Sequence, residues 1–148
     1  MTQKSKKNNF KAKQRARRFA VQAIYQWQLT QETFSVIQTK FLAQEEMKSV
    51  DTAYFTLIVQ GILNDHELLD RYLQSFVDRP LCQLDCVEWA ILRLGTYELL
   101  NCSEIPYKVI LNEAIELAKM FGATDSYKYV NGILHRIAEK NRAIDCKN

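Results

Sequence analysis

Only four glycines and two prolines punctuate a chain of 148 residues. Tight turns draw heavily on these two residue types, so a many-stranded sandwich or barrel is excluded and long helices remain. An apolar share of 47% suffices for a packed interior, and the length suits one domain better than two. The expectation is an all-α fold of six or seven helices in a single unit.

Several classes of function fall away at once. The longest uncharged stretches, Phe19–Gln31 and Thr52–Asn64, run thirteen residues each, short of the ~20 that a membrane span requires. The charged N-terminus is followed by no apolar run of the export type. Cys82, Cys86, Cys102 and Cys146 then read as reduced thiols of a cytoplasmic protein. Cys82 and Cys86 lie four apart, and neither His66 nor His135 stands near them at a zinc-binding spacing, so no metal is expected. Gly-rich phosphate loops, HExxH and GxSxG are all missing, and no cofactor or catalytic residue is expected. Glu113 and Glu116, three apart, read as the wet face of an amphipathic helix rather than as a catalytic pair.

Charge is unevenly spread. Met1–Gln31 holds eight Lys and Arg and no acid, whereas the remainder holds 12 basic and 17 acidic residues. A segment of net +8 on a body of net −5 suggests an arm directed at a polyanion, or a tail that merely aids solubility.

Periodicity places the helices. Over Lys13–Thr30, Ala16, Phe19, Ala20, Ala23, Ile24 and Trp27 share one face, while Gln14, Arg18 and Tyr25 lie opposite, with Arg15 and Gln22 at the edge. A second helix is expected over Phe34–Glu46, with Ile37, Phe41 and Leu42 as its stripe. Asp51 caps a long segment to about Phe76 that bends near Gly61–Asp65. Asp85 and Glu88 form a capping-box pattern for a helix through Leu100, with Val87, Ala90, Ile91 and Leu94 inward. Pro106 and Gly122 bracket Tyr107–Phe121, and Asp125 or Ser126 caps a last helix carrying Val130, Ile133, Leu134 and Ile137.

Aromatic residues on polar faces give the basic arm a purpose. Tyr25 shares the side of Arg18 and Gln14, where a phenol ring can stack on an unpaired base or pack beneath another helix. Tyr129 repeats the arrangement near Gly132 and Arg136, with Lys128 one residue before it. Asp125 can cap the helix and also accept from a base edge, and Phe121 is either core or a stacking platform. No helix carries the run of polar base readers expected for a DNA major groove, so single-stranded RNA is the favoured ligand.

Four blocks carry a family likeness. They are Arg15–Leu29 (RARRFAVQAIYQWQL), Val87–Leu99 (VEWAILRLGTYEL), Ile105–Lys119 (IPYKVILNEAIELAK) and Phe121–Leu134 (FGATDSYKYVNGIL). In content and order they resemble the NusB family of bacterial transcription antitermination factors. The resemblance implies two perpendicular three-helix bundles and matches the family's basic arm to Lys13–Arg18. The Lys-rich lead over residues 1–12 is itself expected to be a flexible basic arm until RNA is present, ahead of a single helical domain over 13–148. The resemblance also implies binding of boxA RNA in ribosomal RNA transcripts together with NusE, within an RNA polymerase complex that includes NusA and NusG. It assigns RNA contacts to Lys13, Gln14, Arg15, Arg17, Arg18, Tyr25, Phe121, Asp125, Lys128 and Tyr129, and a NusE contact to Glu88. It implies neither catalysis nor a cofactor. Three positions depart from the family pattern: Gln14 where arginine is common, Tyr129 where phenylalanine is common, and Trp89 where a polar residue is usual. Packing is the expected role of Trp89. Two other readings compete: an RNA-targeting module like the domain preceding some rRNA cytosine methyltransferases, and a protein-only helical adaptor.

Overall fold

A computed structural model describes residues 3–142, with side chains from Asn8 onward. Among the described residues there are seven α-helices, two short 3-10 turns and no strand: α1 Gln3–Thr30, α2 Phe34–Leu42, α3 Thr52–Asn64, α4 His66–Gln74, α5 Cys86–Asn101, α6 Tyr107–Phe121 and α7 Ser126–Asn141. No helix among these residues is long and apolar enough to cross a membrane. Met1, Thr2 and Cys146 lie outside the described residues. The expected start of the first helix at Lys13 moves forward to Gln3. Nothing between Gln3 and Ala12 is Gly or Pro, and lysine, glutamine and alanine propagate helix well.

The helices fall into two groups of three. α1, α2 and α3 pack together, α5, α6 and α7 pack together, and α1 against α5 joins the groups, with α4 laid on α5. Helix α5 is therefore the central element. Its expected inward stripe, Ala90, Ile91 and Leu94, is buried, but so are Leu92, Arg93, Gly95, Thr96, Glu98 and Leu99, whereas Val87 is only half-buried. A helix surrounded by neighbours buries more than one face, which a single stripe does not report.

Local signals set most boundaries. The Asp51 carboxylate accepts from Tyr54 N at 3.0 Å, and Asp85 accepts from Val87 N at 2.9 Å and Glu88 N at 3.2 Å, each satisfying orphan donors of a first turn. The segment expected to bend near Gly61–Asp65 instead breaks there, with Asp65 (φ −107°, ψ 17°) separating α3 from α4. Helix α2 stops at Leu42, not Glu46. Gln44 is extended and a 3-10 turn over Glu45–Ser49 brings Met47 into the core at 4% exposure. Leu42, expected inside, is 40% exposed.

Gly122 ends α6 with φ −95°, outside the left-handed region. Its glycine is required by crowding instead, since a Cβ there would stand 2.7 Å from Ala118 O and 2.9 Å from Ser126 Cβ. The close turn it permits sends α7 straight back along α6. Trp89 packs, as expected: its indole N–H donates to Asp70 at 3.3 Å, and the Arg93 guanidinium lies 3.9 Å over its ring while pairing with the same carboxylate at 2.5 Å.

Candidate nucleic-acid interface

The outer face of α1 and the C-terminal end of α6 enclose an open groove of about 500 Å³. Tyr25, Gln22, Gln26 and Leu29 line one wall, and Phe121, Val87 and Phe41 are among the residues opposite. Tyr25 is 37% exposed and Leu29 58% exposed. Phe121 is half-buried against the core, so one part of its ring anchors the helix end while another lines the groove. The structure thus brings Tyr25 and Phe121 together from opposite ends of the chain. Ring faces in a groove with amide side chains suit planar, partly polar ligands such as bases.

Arg18 stands two turns before Tyr25 on α1. It is half-buried and lines a smaller cleft with Gln14, Glu116 and Met120. Gln14 is tied down there, its amide donating to Glu113 Oε1 at 3.1 Å. Glu113 is 6% exposed, so the expectation of a solvated carboxylate is overturned for Glu113 and holds for the exposed Glu116. Arg15 reaches toward Ser49 O at 3.5 Å beside Lys48, and Lys13 holds its ammonium 5.1 Å over the Tyr54 ring.

Arg17 does not belong with these residues. It is 2% exposed and bonds both carboxylate oxygens of Glu98, at 3.2 and 2.9 Å, with Tyr54 donating to the same carboxylate. Burial opposes its charge, but Glu98 and Tyr54 outweigh burial and hold the guanidinium protonated. The buried arc of α1 includes Val21 as well as the expected stripe, of which only Phe19 is left half-buried, and Arg17 lies one turn before Val21 on that widened side. An arginine sealed in this way is structural. Contrary to its expected RNA contact, Arg17 presents almost no surface to a ligand.

Tyr129 lines a second groove with Phe76, Asp78, Lys128, Gly132 and Arg136. Its hydroxyl donates to Asp78 at 3.2 Å, and the phenol is pushed above its ordinary value, chiefly by burial. The first turn of α5 divides the two grooves. Val87 lines the Tyr25 groove, and Glu88 lies close enough to Arg79 and Tyr129 to influence both. The two tyrosines therefore do not share one pocket; they flank one helix end. Asp125 precedes α7 without the expected side-chain cap, and its exposed carboxylate faces Lys128 Nζ at 3.6 Å.

Sequence reasoning missed Phe76, Asp78 and Arg79. They sit where α4 ends and an irregular turn begins, a place with no periodicity to follow; the triplet Asp78-Arg79-Pro80 is the only local signal, and it says turn.

Comparison with known proteins agrees with this geometry. The sequence profile of the NusB family matches residues 14–139. The chain is 47% identical over 131 residues to the transcription antitermination protein NusB of Idiomarina loihiensis, covering 88% of this chain and 94% of the relative. It is 47% identical over 133 residues to that of Acinetobacter baylyi, covering 90% and 89%. A solved structure of T. maritima NusB superposes with a TM-score of 0.78 at 32% identity, over 86% of this chain and 91% of that one. With its described helices superposing on that fold and a sequence match over most of its length, the chain belongs to the NusB family of transcription antitermination proteins.

Proposed function

We propose that this chain is a non-catalytic RNA-binding factor that holds boxA RNA of ribosomal RNA transcripts jointly with NusE. In this reading the pair joins an RNA polymerase complex containing NusA and NusG in the cytoplasm. The observation that carries it is the groove shared by Tyr25 and Phe121, with Arg18 two turns before Tyr25 on the same side of α1. Unpaired bases stack on the rings, and Lys13, Arg15, Arg18 and Lys128 neutralise phosphates. Residues 1–12 act as a basic arm that captures the transcript before the bases seat. Glu88, at the start of α5, meets NusE in this reading while RNA occupies the grooves beside it. Asp125, exposed at the mouth of α7, accepts from a base edge when Lys128 turns to phosphate.

Anisotropy titration of labelled boxA RNA, with and without NusE and at several salt concentrations, tests this reading. Four neutralised phosphates on a single strand give a log K against log salt slope near about −3. Tyr25→Ala removes one stack, worth ~1–3 kcal/mol, and weakens binding from about fivefold to about 150-fold while the chain stays folded. Binding that is flat in salt and unchanged by Tyr25→Ala would instead mark a protein-only helical adaptor.

A further inference from the structure

Beside the Tyr129 groove, Arg79, a cation outside the expected contact set, lies against the tyrosine ring. The Arg79 guanidinium carbon lies 5.1 Å from the centroid of the Tyr129 ring. Asp78 holds it there, accepting from Arg79 Nε at 3.0 Å and from the Tyr129 hydroxyl at 3.2 Å. The ring is partly packed against the core, and Arg79 lies over one of its faces. Hydrogen bonding from Arg79 above all keeps the Asp78 carboxyl below the ordinary carboxylate range, so the clasp is fully charged at neutral pH.

The backbone of this turn is fixed independently of the clasp. The Gln74 amide donates to Arg79 O at 2.8 Å, its oxygen accepts from Leu81 N at 3.0 Å, and Pro80 stiffens the link between them. The Arg79 side chain is 46% exposed and that of Asp78 72% exposed. Both side chains can swing while their Cα atoms stay in place.

Stacked rings and cation–π pairs compete for the same shell, with centres ~4.5–7 Å apart. A base cannot stack on the face of Tyr129 that Arg79 covers while Arg79 remains there. We propose that Arg79 is an RNA phosphate ligand, stored on the Tyr129 ring by Asp78 and handed to the RNA backbone when a base takes its place. The inference rests on the RNA-binding reading above. A guanidinium leaving the ring gains a paired, charge-assisted contact with phosphate, and the ring exchanges a cation for a base. Lys128 and Arg136 stand one turn to either side of Gly132 on the same groove, where a Cβ would meet nothing within 4 Å, so strand and phosphate have room to enter. Asp78 then faces a polyanion and opposes binding.

Anisotropy titration of boxA RNA in the presence of NusE, over a range of salt, tests the exchange with two surface variants whose folding is checked by circular dichroism. Arg79→Ala should weaken binding several-fold and lower the steepness of the salt dependence by about 0.7, the share of one single-strand phosphate. Asp78→Asn should tighten binding several-fold. An unchanged salt slope in Arg79→Ala, or weaker binding by Asp78→Asn, overturns the inference. Sensitivity to Tyr25→Ala in the same series would show the RNA-binding reading surviving that failure. A wild-type chain that binds no RNA overturns both.

Discussion

Arg17 and Glu98, 81 positions apart, meet in the interior as an ion pair with Nε to Oε2 at 2.9 Å and both side chains at most 3% exposed. The pair links α1 of one helix group to α5 of the other. Tyr54 of α3 donates to the same carboxylate, so three helices converge on one charge. Removing the cation while the carboxylate stays buried is costly, so Arg17→Ala should lower stability by about 3–5 kcal/mol. The double variant Arg17→Met, Glu98→Leu should lose less than the two single losses combined. Urea unfolding measures both. A loss under ~1 kcal/mol for Arg17→Ala would show that the carboxylate finds another partner or water.

How much of this could be read from the chain depends on how far each determinant reaches. The caps at Asp51 and Asp85 and the limits of α6 at Pro106 and Gly122 are local chemistry, and they fall as expected. The facing of Tyr25 away from the core also follows from one helix's periodicity. Arg17 is different. A basic residue in a basic segment looks solvated until its partner is known, and that partner lies on another helix. Glu113 fails for the same reason, since Gln14 of α1 covers it. The burial of α5 on every side arises from its neighbours, not from its own pattern. Arg79 on Tyr129 joins a turn to a helix, and neither segment alone announces the contact.

Alkaline pH should find the same interior cluster. Burial, and then Glu98, push the Tyr54 phenol well above its ordinary value, and burial pushes the Cys102 thiol up as well. Both groups ionise at lower pH in the unfolded chain, near about 8.5 for a thiol and about 10 for a phenol. Their contribution is fully present below those values and is lost as pH rises toward the folded-state values. Urea midpoints should therefore fall from about pH 8.5 upward, and Tyr54→Phe should flatten the decline above about pH 10. An identical decline in that variant would assign the effect elsewhere. At neutral pH the buried Cys102 should alkylate last, after the exposed Cys82 and Cys86, as read by peptide mass mapping.

Two glycines should respond to alanine with opposite signs. A Cβ at Gly122 would press on Ala118 O and Ser126, so Gly122→Ala forces the α6–α7 turn open and should cost about 1–3 kcal/mol. Gly132 lies inside α7 with open space where its Cβ would be. Gly132→Ala should stabilise by about 0.5–1 kcal/mol through lower chain entropy and better helix propensity. Thermal melts of the two variants decide it. Equal shifts of the same sign would mean that neither crowding nor helix propensity governs these sites.

Arg142 closes the C-terminal end of the described fold. Its guanidinium donates to Ile105 O at 2.9 Å, Cys102 O at 3.0 Å, Leu99 O at 3.2 Å and Glu98 O at 3.4 Å. The last carbonyls of a helix lack intrahelical donors and carry the negative end of its dipole, so a single cation there satisfies several acceptors together. This fastens the end of α7 to the end of α5 and holds the turn leading into α6. Arg142→Ala should lower stability by about 1–3 kcal/mol, because charge-assisted bonds to carbonyls of buried residues are lost, Leu99 O and Ile105 O among them. Hydrogen exchange should localise the effect, with faster exchange at Cys102 and Ile105, whose amides bond Glu98 O and Cys102 O in that turn. The proposed RNA groove of Tyr25 and Phe121 is lined by none of these residues, so Arg142→Ala should leave boxA RNA titrations unchanged. If exchange at Cys102 and Ile105 is unaltered, the four contacts are surface decoration and the end of α5 is held by packing alone.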